Sequence, residues 1–347
     1  MSGLAGVPLS VEPLNRKDFV SDQEVRWCPG CGDYAILSTF QSVAAELGVK
    51  RENTVMISGI GCSSRLPYYV DSYGMHSIHG RAPAIATGVA IARPDTSVWV
   101  VTGDGDALSI GGNHLIHALR RNVNVNILLF NNRIYGLTKG QYSPTSELGK
   151  LTKSTPYGSL DTPFNPLSVA LGAEASFVAR TIDSDRAHLT EVLHAAANHR
   201  GASLVEIYQN CPIFNDGAFD ALKGPGAEET IIPLRHGEPI VFGKDGHKAV
   251  VRDAAGAITV AERDAVDEAS ILVHDETNAD PSQAFALSRL TDPGVLHQAP
   301  VGIFRRVERP TYDDMLRDQI RAAEADDRAA ALASIIAGPD TWEASER

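Results

Sequence analysis

The run Gly103-Asp104-Gly105-Asp106, followed by Asn131-Asn132-Arg133-Ile134-Tyr135-Gly136-Leu137, sets a carboxylate and an amide where they can share one hard cation. Asp104, the Asn132 side chain and the Ile134 carbonyl offer three oxygens to a Mg²⁺ that keeps water and phosphate oxygens as its other ligands. Such a cation would hold a diphosphate, and Gly103 and Gly105 let the backbone approach a phosphate closely. A lone Gly-Asp-Gly is no more than a turn-rich strand end in any doubly wound domain. The Asn-Asn pair at this separation is what favours the metal.

The elements that must position these groups are short. Residues 98–102 form an apolar run ending at the glycines, 107–120 read as a helix, and 125–130 read as a second buried strand ending at the asparagines. Together they make a βαβ unit. In a parallel pair both strand ends open on the same edge of the sheet, where ligands of open α/β folds sit.

The chain has four cysteines: Cys28 and Cys31 in Trp27-Cys-Pro-Gly-Cys-Gly32, Cys62 in Gly59-Ile-Gly-Cys-Ser-Ser64, and Cys211 in Gln209-Asn-Cys-Pro212. A Cys-x-x-Cys pair with two distant cysteines can supply the four thiolates of a 4Fe-4S cluster or of a structural zinc. Spacing alone does not choose. Zinc sites more often draw on two close pairs, so the two solitary thiolates favour iron and sulfide. A thioredoxin-like pair fits less well, because Cys28 and Cys31 precede the first expected strand. Nothing marks the chain as secreted, which disfavours two disulfides.

Taken together, these residues resemble the β subunit of the 2-oxoacid:ferredoxin oxidoreductases. The shared segments are Cys-Pro-Gly-Cys-Gly, Gly-Ile-Gly-Cys-Ser-Ser, His79-Gly80-Arg81, Gly-Asp-Gly-Asp, Asn-Asn-x-Ile-Tyr-Gly-Leu-Thr-Lys-Gly-Gln and Asn-Cys-Pro, in the family's order. The resemblance covers roughly residues 20 to 220. It implies an α/β fold, the thiamine diphosphate-binding fold, with a mostly parallel doubly wound sheet and a C-terminal extension. It implies thiamine diphosphate as cofactor, with Asp104, Asn132 and the Ile134 carbonyl on Mg²⁺. It assigns Cys28, Cys31, Cys62 and Cys211 to a 4Fe-4S cluster, and it puts Ile60, Gly61, Cys62, Ser63, His79, Gly105, Asp106, Gly136 and Leu137 against the cofactor. The thiazolium carbon of thiamine attacks a 2-oxo acid and stores the electrons left by decarboxylation. Those electrons leave singly and need an acceptor nearby, which the segment around Cys62 would place beside the thiamine.

Residues 135–146 and 154–166 resemble most the branch that oxidises 2-oxoglutarate to succinyl-CoA, with pyruvate or broader 2-oxo acid specificity as the alternative. A dicarboxylic substrate asks for a cation beyond the reacting carbon. Arg65 and Lys139 are the candidates, since an Arg fork can hold a carboxylate bidentately. The plainer roles are a salt bridge ordering its own loop for Arg65 and a solvated loop charge for Lys139.

Thiamine enzymes activate the aminopyrimidine with a Glu from a second domain, and this chain carries motifs for only the diphosphate half. The resemblance therefore implies a separate α subunit that supplies the pyrimidine domain, in an α2β2 assembly, together with CoA as co-substrate and ferredoxin as acceptor. Two other classes compete: a non-redox thiamine decarboxylase half whose cysteines hold zinc, and a non-catalytic electron-transfer or scaffold subunit in which Asp104 and Asn132 are structural.

Length and charge are consistent with this. At 347 residues the chain can bury a sizeable core. We expect an N-terminal arm over 1–20, a catalytic domain over 21–220 and an extension over 221–347. Within these, 34–47 read as an amphipathic helix, 54–58 and 203–208 as strands, 82–92 as a small-residue helix and 141–166 as a long loop over the site. A hairpin is expected over 249–260, helices over 312–337 and fraying over the last ten residues. His236, His247, His274 and His297 lack ligand spacing. The net charge of -12 argues against nucleic acid, and an acidic ferredoxin would need a local basic patch. No run reaches the ~18 apolar residues of a membrane span and no signal peptide is evident, so a cytoplasmic enzyme is expected.

Overall fold

Residues 97–103 are buried along almost their whole length, yet successive side chains belong to different cores. Val98 and Val100 pack with Ala82, Ala86, Leu115 and Leu119, whereas Trp99 and Val101 pack with Ile36, Phe40, Leu189 and Val192. A strand apolar on both faces belongs inside a sheet covered by helices on both sides. The computed structural model describes residues 2–291, 294–324, 327–340 and 342, and it has this architecture.

The chain runs α1 (Asp33–Glu46), β1 (Thr54–Ser58), α2 (Leu66–Tyr69), β2 (Tyr73–His76), α3 (Ala82–Ala92), β3 (Ser97–Gly103), α4 (Asp104–Leu108), α5 (Gly112–Arg121) and β4 (Val125–Asn131). It continues through α6 (Pro166–Gly172), β5 (Phe177–Ile182), α7 (Arg186–Asn198), β6 (Ala202–Tyr208), β7 (Ile231–Leu234), β8 (Val241–Phe242), β9 (Lys248–Arg252) and β10 (Ile258–Glu262). Then come α8 (Ser282–Ser288), β11 (Ala299–Arg306), α9 (Tyr312–Ala323) and α10 (Arg328–Ala337).

Eight strands form one sheet in the order β2-β1-β3-β4-β6-β5-β11-β7. The first six are parallel, so their C-terminal ends share one edge. β11 runs antiparallel to β5 and parallel to β7. Residues beyond 220 thus return to the same sheet, and they also build a small antiparallel sheet, β10-β9-β8. α3, α5, α6 and α8 cover one face; α1 and α7 cover the other.

The elements expected around the motifs are present, with one difference that matters. The helix expected over 107–120 is two helices, α4 and α5, separated at 109–111. Ser109 has ψ -109, outside helical geometry, and Gly111 lies against Gly80, whose own Cβ, were it present, would stand 2.5 Å from the Gly111 nitrogen. The break admits the His79-Gly80 turn beside α4. The hairpin over 249–260 is β9–β10, and the helices over 312–337 are α9 and α10. Of the last ten residues, 341 and 343–347 lie outside the described residues. Among the histidines without ligand spacing, His274 is buried and bonded to the Ile303 carbonyl at 2.7 Å, while His247 contacts the Lys244 carbonyl at 2.8 Å. Among the described residues no helix is long and apolar enough to cross a membrane.

A buried ion pair joins β5 to β6, and its arginine reaches on to β11. Arg180 of β5 and Glu206 of β6 are both about fully buried and meet at 2.7 Å. Arg180 also donates to Thr291 and to the Pro300 carbonyl, and lies over the Tyr208 ring at 4.8 Å. Glu206 takes a further bond from Asn131. A buried pair satisfied on all sides adds little over an apolar equivalent, but removing one partner strands the other, at about 3–5 kcal/mol. Arg180→Met should therefore lower stability by about that amount, and Arg180→Met/Glu206→Gln should recover at least half of it, as read by thermal unfolding. Equal losses in the single and double variants would contradict the pairing.

Candidate active site

The strand ends deliver the motifs to one edge. At the end of β4 the two asparagines make successive Asx turns: Asn131 Oδ1 accepts from the Arg133 amide at 3.1 Å, and Asn132 Oδ1 from the Ile134 amide at 3.2 Å. Arg133 takes the left-handed conformation this requires, with φ 57. The turn swings residues 134–138 across the end of β3. One cleft is consequently lined by Ile60, Gly61, Cys62 and Ser63 after β1, by His79, by Gly103, Asp104, Gly105 and Asp106 after β3, and by Phe130, Asn132, Ile134, Tyr135, Gly136, Leu137 and Thr138.

Asp104 is the buried charge of this cleft. Its Oδ2 accepts from the Ser143 and Thr145 hydroxyls, each at 2.5 Å. Burial pushes its carboxyl up to about 6 despite those hydroxyls, which pull the other way. In the apo chain the ionised form is thus opposed by desolvation, and a cation on the remaining oxygen would relieve that. The donor set of one carboxylate, one amide oxygen and one carbonyl suits Mg²⁺. Asp106 plays a different part. It accepts from the Ile60 and Gly80 amides at 3.1 and 2.7 Å and from Thr102 Oγ1 at 2.7 Å, and its Oδ1 lies 2.9 Å from His79 Nδ1. It ties the loops after β1 and β2 to the end of β3, with the His79 imidazole beside it. Gly105 is required by packing, since a Cβ there would stand 2.2 Å from the Tyr135 ring, whose hydroxyl donates to the Gly105 carbonyl at 3.0 Å.

Next to this cleft three cysteine segments are laced together. Trp27 Nε1 donates to the Cys62 carbonyl at 2.7 Å, the Gly32 amide donates to the Asn210 carbonyl at 3.1 Å, and the Cys28 carbonyl takes the Cys31 amide to close the Cys-Pro-Gly-Cys turn. Gly136 sits between two of the segments: a Cβ on it would stand 3.5 Å from Cys62 Sγ and 3.8 Å from Cys211 Sγ. All four thiols are free. Burial, with Asp33 adding to it, holds the Cys31 thiol far above its ordinary value; burial pushes Cys62 up to about 12 and raises Cys211. Thiols so disfavoured as thiolates are poor redox nucleophiles, and they ionise when a metal takes the proton's place. Among the described residues no three His, Cys, Asp or Glu side chains converge on a single-ion site. Asp33, at the start of α1, is buried beside Cys31 with neither carboxylate oxygen hydrogen-bonded, and burial pushes it up to about 7.

Arg65 and Lys139 do not line the cleft. Arg65 ends the 3-10 turn Ser63–Arg65 after Cys62; its Nε is buried without a partner among the described residues. Lys139 is exposed, with φ 74, at the tip of the turn closed by Tyr135 and Gln141. The loop over 141–166 reaches the site through Ser143 and Thr145, which sequence reasoning missed along with Tyr135 and Gln209. The density of Ser and Thr marked the loop, but nothing in their order tied two particular hydroxyls to Asp104.

Residues 59–207 match the family described as thiamine pyrophosphate enzyme, C-terminal TPP binding domain. The 2-oxoglutarate oxidoreductase subunit KorB of Mycobacterium tuberculosis is 67% identical over 341 residues, 97% of this chain and 91% of that one. The 2-oxoglutarate synthase subunit KorB of Archaeoglobus fulgidus is 44% identical over 186 residues, 54% of this chain and 69% of that one. Among solved structures, the 2-oxoglutarate:ferredoxin oxidoreductase from Magnetococcus marinus with 2-oxoglutarate, coenzyme A and succinyl-CoA bound superposes with a TM-score of 0.76 at 34% identity, covering 96% of this chain and 100% of that chain. The chain belongs to the family of 2-oxoacid:ferredoxin oxidoreductase β subunits.

Proposed function

We propose that this chain is the diphosphate-binding and electron-collecting half of a 2-oxoglutarate:ferredoxin oxidoreductase. In this reading the cleft holds thiamine diphosphate through Mg²⁺ on Asp104, Asn132 and the Ile134 carbonyl, and Cys28, Cys31, Cys62 and Cys211 hold a 4Fe-4S cluster. Bound thiamine supplies the carbon nucleophile and electron sink for oxidative decarboxylation of 2-oxoglutarate with CoA to succinyl-CoA and CO₂. The chain's own residues do the rest: Asp106 ties the loops after β1 and β2 to β3, the Ser143 and Thr145 hydroxyls fix Asp104, and the thiolates take up the cluster. One observation carries the reading. Gly136 lines the cleft and has two cysteine sulfurs within 4 Å of where its Cβ would be, so the diphosphate and sulfur sites share a wall. Electrons then have a short way to travel before reaching ferredoxin.

The pyrimidine-activating Glu has to come from an α subunit, in an assembly we expect to be α2β2. Thiols that must stay reduced to take up a cluster support a cytoplasmic enzyme. Arg65 takes the distal carboxylate in this proposal, because its guanidinium follows directly on the Cys62 wall and has no acidic partner among the described residues; Lys139, on the exposed turn, is the second candidate.

The α–β complex, purified without oxygen, should contain iron and sulfide and oxidise 2-oxoglutarate in preference to pyruvate and a branched 2-oxo acid. In the same assay Arg65→Met should raise the KM for 2-oxoglutarate about tenfold more than that for pyruvate. Zinc without iron, or equal effects on both substrates, would contradict these assignments. A second expectation concerns pH. Asp104 has a carboxyl raised to about 6 in the fold, so the proton competes with Mg²⁺ below that value and not above it. Binding of Mg²⁺-thiamine diphosphate, followed by calorimetry of the complex, should be flat from pH 7 to 8 and weaken about tenfold by pH 5. By the same sign, the folded apo chain is favoured by this group below about pH 4, and that contribution is lost as pH rises through 6.

A further inference from the structure

Gln209 follows β6 directly and is buried to 1% exposure. Nothing in the cleft lining includes it, yet its side chain touches both sites at once. Its Nε2 donates to Cys31 Sγ at 3.2 Å and to the Asn210 carbonyl, and its Oε1 accepts from Asn132 Nδ2 at 2.8 Å. The orientation is not arbitrary. A carbonyl can only accept, so the Gln209 amide must turn its NH₂ toward the Asn210 carbonyl, which leaves its oxygen facing Asn132. Asn132 must then present its own NH₂ to Gln209. The Asn132 oxygen is thereby left on the Ile134 side, where it accepts the Ile134 amide at 3.2 Å and keeps a lone pair free. The main chain of Gln209 is fixed as well, by donation to the Asn131 carbonyl at 3.0 Å.

From this we infer that Gln209 is a positioning residue that couples the two sites: it sets which atom of Asn132 faces the cation, and it supplies a hydrogen bond to the sulfur of Cys31. The inference rests on the site assignment proposed above. Its two effects have separate physical causes. A neighbour that orients a ligand changes metal affinity about 10- to 100-fold when removed. A hydrogen bond to a ligating sulfur stabilises the more negative, reduced cluster and raises its potential. Gln209 does both through opposite ends of one amide, and substitutions can separate them.

The test uses the α–β complex prepared without oxygen, with Gln209→Met and Gln209→Glu alongside wild type. Two quantities are read: the affinity for Mg²⁺-thiamine diphosphate by calorimetry, and the fraction of reduced cluster at fixed ambient potential by electron paramagnetic resonance. Gln209→Met removes both ends, and should weaken Mg²⁺-thiamine diphosphate about tenfold and lower the reduced-to-oxidised ratio about tenfold, equivalent to 59 mV for one electron. Gln209→Glu keeps an acceptor for Asn132 and puts an anion beside the sulfur. It should hold the affinity within about twofold of wild type and lower the reduced fraction at least as far as Met does. A side chain that only supported the loop would move affinity alike in the two variants and leave the potential of the remaining clusters unchanged; that result overturns the inference while the wild-type cluster signal keeps the site assignment standing. Absence of any cluster from wild type overturns both.

Discussion

The pairing of β4 with β3 on one side and β6 on the other is the constraint on which everything else depends. Gly103 stands opposite Phe130, and Asn131 opposite Tyr208. Because all three strands run the same way, Asp104, Asn132 and Cys211 leave the sheet at one edge within a few residues of the pairing. The ladder itself is held by the cores on either side and by Arg180 and Glu206 within it. Asn131 Nδ2 donates to Glu206, Asn131 Oδ1 lies 2.9 Å from Thr145 Oγ1, and the Thr145 hydroxyl proton faces both that oxygen and Asp104. A buried run of polar contacts therefore links the ion pair within the sheet to the carboxylate of the cleft. Such networks are stabilising when every member is satisfied, and here the member that lacks full compensation is Asp104, the group that faces the cleft.

Burial works differently at the two sites. At Asp104 it opposes an ionised carboxylate that two hydroxyls only partly stabilise. Around Cys31, Cys62 and Cys211 it disfavours the thiolates, while Gln209 offers a side-chain nitrogen donor to the Cys31 sulfur. Both sites hold groups whose ionised form burial disfavours and a cation would stabilise. That pattern is expected of metal-dependent centres, where folding and metal binding are linked through protons.

Much of this was legible in the chain before its fold. The apolar runs at 54–58, 98–102, 125–130 and 203–208 had the length and burial of parallel strands, and the motifs followed them directly, so position along the chain became position on one edge. Less legible were features that depend on contact between distant segments. The break between α4 and α5 was hidden because 107–120 has a helical pattern throughout; only the approach of Gly80 to Gly111 shows why the helix must stop. The return of β7 and β11 to the main sheet was equally hidden, since their residues read as an extension. Gln209 appeared merely as the residue before Asn210 and Cys211. Its role needs Cys31, 178 positions away in sequence, and Asn132 on a third segment, and no local pattern records that meeting.

The central claim is that one wall of the cleft separates a Mg²⁺-diphosphate site from an iron–sulfur site. X-ray data from the oxygen-free α–β complex with Mg²⁺-thiamine diphosphate, collected on either side of the iron absorption edge, test it most directly. The account predicts iron anomalous density enclosed by Cys28, Cys31, Cys62 and Cys211, with Mg²⁺ bound to Asp104 and Asn132 across Gly136. Density that appears only at the zinc edge, or iron located away from these four sulfurs, would contradict it.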